Sequence, residues 1–209
     1  MSTAYLPLFP LKLVVFPGEN LNLHIFEPRY RQLLADVEEG KLAFGICTYL
    51  NQLTGLGTEV VLDKIYKRYP DGRLDIKTRG KRVFRILSFD NPMEGKLYAG
   101  GNVQYLENSP VASAVQNHEF LFYLKEMLYL LHFSEEIKPE LTNSFTYAHK
   151  VGLKFEEELE LLQITEEGER MDYLINHFKR VIPVIKNIER AKEIIKQNGH
   201  FKNLDPLDF

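Results

Sequence analysis

Cysteine is scarce in this sequence, since Cys47 is the one cysteine in 209 residues. A single cysteine excludes an internal disulfide and a multi-cysteine zinc site, and it makes a reducing cytoplasm the simplest compartment. Long apolar stretches are also missing, because no run of about 18 uncharged apolar residues occurs, and we expect no membrane span. The first residues contain no basic segment followed by an apolar core, so we expect no signal peptide.

A charge excess of either sign is absent as well. The 26 Lys and Arg residues nearly balance the 29 Asp and Glu residues, which leaves a net charge of −3. This balance gives no global electrostatic reason to bind nucleic acid or a membrane surface. The remaining composition, 44% hydrophobic and 26% charged residues, is typical of a globular protein with one large or two small domains.

Signatures of catalysis are missing too. No G-x-x-x-x-G-K-[ST] loop is present to hold phosphates, and no G-x-S-x-G turn is present to expose a serine nucleophile. His118-Glu119 begins like H-E-x-x-H, but Phe122 stands where the second zinc-binding histidine would be. The glycines at 55 and 57 lack a following lysine and predict a loop between strands. We therefore assign no catalytic, cofactor-binding or metal-binding residue and expect a protein that is not an enzyme.

The N-terminal region carries the densest local pattern. Pro7 and Pro10 lack backbone donors and predict an edge segment, and 13–16 is predicted to be a buried strand. A half-buried strand follows, because apolar and polar residues alternate at Leu21, Leu23 and Ile25 against Asn20, Asn22 and His24. Pro28 suits the first position of a helix, which we expect to end at Gly40.

The period of the pattern changes near Pro110. Before it we predict strands at 42–50, 58–69, 73–79, 81–89 and 97–106, with a turn at 70–72. After it we predict helices at 115–133, 139–151 and 155–162, and a fourth that begins after Thr165, kinks or restarts at Pro183 and stops at 198–199. The chain is therefore divided into a β-rich lobe (1–109), a helical lobe (110–200) and a C-terminal tail (201–209).

Three N-terminal segments form a specific motif: LPLFPL at 6–11, VVFPG at 14–18 and LHIFEPRY at 23–30. Shorter matches follow at 57–60, 71–73 and 80–86, and a looser one at 159–170. This pattern resembles the Lon N-terminal domain family, the substrate-binding domain of the ATP-dependent protease Lon. The resemblance covers most of the chain and is strongest over 6–106.

The resemblance implies an α+β fold in which a PUA-like β pseudobarrel lobe precedes a C-terminal helical bundle. Some family members are the front end of a full protease and others are this domain alone. Because ATPase and protease signatures are missing here, we expect a stand-alone member. The implied function is non-catalytic binding of unfolded or degron-bearing polypeptides. A separate protease or chaperone is a further expected partner, whereas nucleic acid and membranes are not.

The resemblance also implies a set of motif residues, which we expect to be structural: Pro7, Phe9, Pro10, Phe16, Pro17, Gly18, His24, Phe26, Glu27, Pro28, Arg29, Tyr30, Gly80 and Arg82. We predict that the four aromatic residues in this set lie in the core. His24 is predicted to be a hydrogen-bonding residue, and Arg82 to pair with an acid such as Glu27 or Glu59. The default location for a peptide site is the cleft between the lobes, because sites favour domain junctions.

A second hypothesis is RNA binding through a basic hairpin at 64–85. Cations cluster there with interleaved tyrosines, and such clusters bind phosphates while aromatic rings stack on bases. The residues that would contact RNA are Lys67, Arg68, Lys81 and Arg82. Acidic residues are interspersed in the same segment, which favours an exposed hairpin of mixed charge.

Overall fold

A computed structural model describes residues 2–40, 42–134 and 136–200. Strands fill the first half of the chain: β1 (Thr3–Leu11), β2 (Asn20–Ile25), β3 (Phe44–Leu50), β4 (Gln52–Arg68), β5 (Leu74–Ile86) and β6 (Ala99–Tyr105), with α1 (Pro28–Gly40) between β2 and β3. Helices fill the second half: α2 (Ala114–Leu130), α3 (Phe155–Gln163) and α4 (Glu167–His200), with 3₁₀ turns at Pro139–Leu141 and Ala148–Lys150. The predicted α+β class, with strands first and helices after, is confirmed.

The six strands form one sheet that closes on itself. They are ordered β2-β5-β4-β3-β1-β6, and β5 also pairs with β6. That extra pairing closes five strands into a barrel and leaves β2 outside the ring. β2 pairs with the first half of β5, from Asn20 opposite Arg79 to Ile25 opposite Leu74, whereas β6 pairs with β5 at 84–86. Within the described part of the chain, β2 is therefore an edge strand with a neighbour on one side.

The two prolines of β1 lie where this strand has one partner. β1 pairs with β6 as far as Leu8, and with β3 from Leu8 onward. Pro7 and Pro10 therefore each have one unpaired side, where a missing N–H is tolerated, and the predicted edge character is confirmed locally. The strand predicted over 13–16 is wrong, because its buried residues lie in an irregular segment.

The β4–β5 hairpin replaces several shorter predicted strands. The turn predicted at 70–72 is confirmed, and Gly72 there has a φ of +86°. The loop predicted at 55–57 is wrong, since these residues lie inside β4. A Cβ at Gly57 would stand 2.5 Å from the carbonyl oxygen of Ile46. Close approach of two strands, rather than a turn, requires glycine at this position.

The segment before α3 differs most from its prediction. The helix predicted over 139–151 is wrong, because two 3₁₀ turns stand there instead. The Asn143 side chain accepts hydrogen bonds from the Phe145 N–H at 3.0 Å and the Thr146 hydroxyl at 3.1 Å. Such local side-chain bonds compete with helix formation. The other predicted helices are present, and Pro183 lies inside a single α4. The predicted tail at 201–209 lies outside the described residues.

Phe16 joins the strand half of the molecule to the helical half. Its side chain is fully buried and stacks on Phe145 with ring centroids 5.2 Å apart. Together with Val14 and Val83, it belongs to the same apolar cluster as the buried faces of α2, α3 and α4. A second cluster fills the space between α1 and the barrel. The two halves share a core, so their division at 109/110 into separate units stays a proposal.

Gly80 in β5 generates a first testable expectation. A Cβ at this position would stand 2.3 Å from the carbonyl oxygen of Phe16. We expect Gly80→Ala to lower the free energy of unfolding by about 1–3 kcal/mol, the usual cost of overpacking, as measured by urea denaturation. Lys81→Ala, at the adjacent exposed position, should change it by less than about 0.5 kcal/mol. A G80A protein as stable as wild type would contradict the close approach.

Candidate functional site

Part of the motif forms a turn whose residue types are set by the backbone. Gly18 has a φ of +85°, and its N–H donates to the carbonyl oxygen of Gly80 at 3.0 Å. The Gly80 N–H donates in turn to the carbonyl oxygen of Glu19 at 2.9 Å. Gly18 needs the left-handed conformation, and Gly80 needs to lack a side chain. These residues hold the start of β2 against β5.

A second part of the motif forms a stacked aromatic pair at the start of α1. The rings of Phe9 and Tyr30 lie 3.6 Å apart at an angle of 22°, and both side chains are buried. The Arg29 guanidinium lies over Tyr30, 4.5 Å from the ring centroid, and its Nη2 also pairs with Glu27 Oε2 at 2.8 Å. Arg29 thus covers the aromatic pair while its charge is balanced locally.

Two open cavities meet at this aromatic pair, and we call them together the motif groove. One has a volume of about 270 Å³ and lies between 9–11 of β1 and 23–27. The other, of about 310 Å³, extends towards Tyr49, Leu53, Phe89 and Asn91. Both are lined by Pro10, Arg29 and Tyr30. The motif therefore builds a continuous surface depression in addition to its structural turn.

Phe26 lies at the rim of the motif groove and corrects a prediction. Phe9, Phe16 and Tyr30 are buried as predicted, but Phe26 is 58% exposed. The alternation in β2 explains this, because Ile25 points inward and the next residue must point to the other face. The sequence contains the same alternation, because Phe26 directly follows the apolar series Leu21, Leu23 and Ile25. A large aromatic side chain is thus presented to solvent next to an apolar depression.

His24 ties β2 to β5 beside this groove. Its Nδ1 lies 2.6 Å from Asp75 Oδ1, and the Tyr69 hydroxyl donates to the other Asp75 oxygen at 2.8 Å. The bond to His24 and the bond to Tyr69 hold the pKa of Asp75 below its usual value. His24 is therefore a hydrogen-bonding residue at the sheet surface.

A separate cleft lies at the expected junction between the two halves. Its volume is about 550 Å³, and we call it the interlobe cleft. The strand side contributes 17–20 and Arg79, while the helical side contributes Asn143, His149 and Lys150. A neighbouring cavity of about 380 Å³ shares the Pro17-Gly18 turn with it. The lining of the interlobe cleft is rich in charged and amide side chains, unlike the lining of the motif groove.

His149 spans the interlobe cleft between two carboxylates. Its Nδ1 lies 2.7 Å from Glu158 Oε1 and its Nε2 lies 3.1 Å from Glu19 Oε2, while its ring lies 4.8 Å from that of Phe16. Burial opposes protonation, but the two carboxylates outweigh it and raise the pKa of His149 to about 10. A protonated imidazole therefore links the strand half to α3 at neutral pH.

A buried ionic cluster fixes the loop that lines the cleft. Arg170 Nη2 donates to Glu167 Oε2 at 2.7 Å, and the same carboxylate accepts the Ser144 N–H at 2.7 Å and its hydroxyl at 2.8 Å. All three residues are buried. Sequence reasoning missed this cluster, because the charged residues of α4 give no local sign of which ones face inward.

Arg82, a motif residue, has a structural place in the barrel. Its Nε and Nη2 donate to the two oxygens of Glu59 at 2.8 and 2.9 Å. The Tyr105 hydroxyl also donates to Glu59, at 2.6 Å; burial and this bond raise the pKa of Tyr105 to about 12. Of the two acids predicted for Arg82, Glu59 is the partner and Glu27 pairs with Arg29 instead.

The four cations of the RNA hypothesis do not form one patch. Lys67 stands opposite Asp75 in the hairpin register, so about six residues of β5, or roughly 20 Å of strand, separate it from Lys81. Arg68 pairs with Glu38 at 2.5 Å, and Arg82 pairs with Glu59. Two of the four charges are thus balanced, and no observation here favours RNA over other ligands.

The remaining chemical candidates lie apart from one another. Within the residues described, no three His, Cys, Asp or Glu side chains stand close enough to share a metal ion. Glu119, next to His118, pairs instead with Lys179 at 2.7 Å. Cys47 is fully buried, and burial raises the pKa of its thiol to about 12, which leaves it unreactive. No helix in the described part of the chain is long and apolar enough to cross a bilayer.

The barrel, the helical half and the two depressions define an α+β domain with open surfaces. The family described as the ATP-dependent protease La (LON) substrate-binding domain matches residues 5–180, and the chain belongs to this family. The predicted family membership is therefore confirmed.

Solved structures show the same fold. A Lon N-terminal domain protein from Xanthomonas campestris is similar at 26% sequence identity and a TM-score of 0.66, over 83% of this chain and 98% of that one. The N-terminal domain of Mycobacterium avium complex Lon protease is similar at 15% identity and a TM-score of 0.63, over 84% of this chain and 98% of that one. The likeness thus spans both the strand and the helical halves.

The His149 bridge predicts a pH dependence of stability. Because its pKa is raised on folding, the stability it adds is complete below about pH 6.5 and is lost as the pH rises through about 10. We expect His149→Gln to be less stable than wild type at pH 6, by on the order of 1 kcal/mol since the ring is partly exposed. Thermal unfolding should show that this gap closes by pH 10.5.

The matched control for this experiment is His118→Gln, because His118 is exposed on α2. Its difference from wild type should be small at both pH values. A gap for His149→Gln that stays constant between pH 6 and pH 10.5 would contradict the charged bridge. Arg79 and Lys150 also line the cleft, and each variant is compared with wild type at the same pH, where these two side chains are common to both proteins.

Proposed function

We propose that this protein is a non-catalytic polypeptide-binding module that engages unfolded or degron-bearing proteins in the cytoplasm. Membership of a family named for substrate binding supports this role. The captured chain would then pass to a separate protease or chaperone. The free, buried thiol of Cys47 agrees with a reducing compartment.

The observation that carries this proposal is the exposed Phe26 beside a preformed aromatic floor. Full burial of a phenylalanine side chain contributes about 1.5–3 kcal/mol, and more than half of the Phe26 surface remains available, since it is 58% exposed. Phe9 and Tyr30 are already packed beneath the groove, so a bound side chain meets a surface that needs no rearrangement. Unfolded proteins expose the apolar side chains that such a surface binds.

The motif groove fits an unfolded polypeptide better than the interlobe cleft does. The cleft is lined by charged and amide groups and is crossed by the His149 bridge. The groove is lined mainly by apolar and aromatic residues, and its Arg29 is balanced by Glu27. We therefore propose the groove, instead of the junction expected from the sequence, as the peptide site.

Replacing Phe26 tests this site. We expect Phe26→Ala to weaken binding of a permanently unfolded probe, fluorescently labelled reduced and carboxymethylated α-lactalbumin, by about tenfold or more, which is the effect of a hot-spot residue. Fluorescence anisotropy titration gives the dissociation constants. Phe122→Ala is a matched control, because Phe122 on α2 is 59% exposed, against 58% for Phe26. Similar losses in both variants, or none in either, would refute the groove as the site.

The non-catalytic part of the proposal is tested with the same probe. We expect the purified protein to leave the unfolded polypeptide intact over hours, with or without magnesium and ATP, because no nucleotide-binding loop or nucleophile motif is present in the sequence. Gel electrophoresis follows cleavage, and phosphate release follows ATP hydrolysis. Cleavage or ATP turnover that a point mutation in this chain abolishes would overturn the assignment.

A further inference from the structure

Among the residues that the structure describes, none pairs as a strand with the outer row of backbone groups of the edge strand β2. β2 pairs with β5 on one side, and the barrel closes without it through the β5–β6 pairing. Exposed strand edges are templates for pairing with another chain. Natural proteins usually block such edges with a covering segment, a proline or a charge, and the residues of β2 include no proline and no Asp, Glu, Lys or Arg.

In the β2–β5 ladder, alternate residues of β2 form hydrogen bonds with β5, and this alternation indicates which main-chain groups of β2 face outward. The Gly80 N–H donates to the carbonyl oxygen of Glu19, so alternate residues from there, Leu21 and Leu23, direct their main-chain groups towards β5. Asn22 and His24 then direct theirs away from the sheet. Among the described residues, no hydrogen bond outside the β2–β5 ladder involves the main chain of Asn22 or His24.

The last residues of β2 border the motif groove, directly after Asn22. Leu23, His24 and Ile25 line the 270 Å³ cavity on one side, and 9–11 of β1 line it on the other. This stretch of β1 lies beyond its last pairing with β6, at Leu8 opposite Ala99. The cavity therefore lies between two strand segments that, among the residues described, each have an unpaired side, and Phe26 and Tyr30 also line it.

The charges around this gap define the occupant. Arg29 is paired with Glu27 and Asp75 is held by hydrogen bonds with His24 and Tyr69, so the ionic side chains that border the groove already have partners. A charged segment would lose hydration there without gaining an ionic partner. An uncharged segment with apolar side chains at alternate positions matches both the neutral rim and the apolar floor.

We propose that β2 binds its polypeptide ligand by strand addition. An extended, uncharged segment pairs its main chain with the outward groups of Asn22 and His24, and places alternate apolar side chains against Phe9, Phe26 and Tyr30. This inference rests on the proposed function and specifies its binding mode. Main-chain pairing provides affinity that does not depend on sequence, which is the requirement for capturing diverse unfolded chains.

The test compares Asn22→Pro with Asn22→Ala. Proline removes the outward N–H and is tolerated on edge strands, whereas alanine keeps that donor and removes only the exposed side chain. The probe is a fluorescent peptide of ten alternating valine and threonine residues with lysine-capped ends. We expect N22P to weaken binding about tenfold or more, and N22A to change it less than about threefold. Equal binding by the two variants would overturn strand addition.

A second measurement keeps the test decisive if N22P does not fold. The same peptide, N-methylated at alternate residues, cannot donate hydrogen bonds along one edge, and it is titrated against the unchanged protein. We expect its affinity to fall about tenfold or more relative to the unmethylated peptide. Equal affinity of both peptides, together with loss of binding in Phe26→Ala, would overturn strand addition and leave the proposed function standing. No binding of either peptide or of the unfolded protein probe would overturn both.

Discussion

Phe16 and the backbone around it form the contact on which both halves of the molecule depend. The Phe16 ring packs among the buried faces of the helices. The Phe16 carbonyl oxygen lies so close to Gly80 of β5 that it leaves no space for a Cβ there. The Phe16 N–H donates to Glu19 at 2.9 Å, and Glu19 in turn meets His149. One short segment thus fixes the helical half, the start of β2 and the cleft between them. Any shift of this segment would move all three together, because a close-packed interior transmits displacement.

β2 begins directly after this contact, at Asn20, and its position helps to form the candidate site. β2 follows this segment directly, lies outside the closed ring and, among the residues described, pairs with β5 alone. Its alternation then buries Ile25 and exposes Phe26. The start of α1 immediately afterward places Tyr30 over Phe9. The motif groove is therefore a consequence of how the chain enters and leaves one edge strand.

Charge pairing separates the two depressions in chemical character. Around the motif groove, polar side chains bind near neighbours in sequence or register: Arg29 pairs with Glu27, and His24 forms a hydrogen bond with Asp75. Across the interlobe cleft, the pairs join distant segments, such as Glu19 with His149. The first arrangement leaves an apolar surface open to a ligand, whereas the second uses its polar groups to hold two halves together. Ion pairs likewise balance positive charges of the β4–β5 hairpin, such as Arg68 with Glu38 and Arg82 with Glu59.

Local spacing predicted the elements that depend on neighbouring residues. The strand-then-helix order, the bounds of α1, the turn at 70–72 and the inward face of β2 all follow from proline, glycine and apolar periodicity. Local spacing failed over 139–151, where side-chain hydrogen bonds of Asn143 replace a helix, and at 55–57, where strand contact instead of a turn requires glycine. These failures share a cause, because the competing interaction or the close neighbour becomes visible only in the folded chain.

The fold class and the family motif were readable from neighbouring residues, since both depend on backbone restrictions and on the period of apolar residues. The sequence also contained the parity that exposes Phe26. The folded chain was needed to show that Arg82 pairs with Glu59, that Arg170 is buried against Glu167, and that β1 and β2 border one groove. The β4–β5 register sets Glu59 opposite Arg82, the packing of Ser144 against α4 buries Glu167 and Arg170, and 9–11 of β1 face 23–25 of β2 across one cavity. Each of these contacts depends on how separate segments pack, which local spacing does not encode.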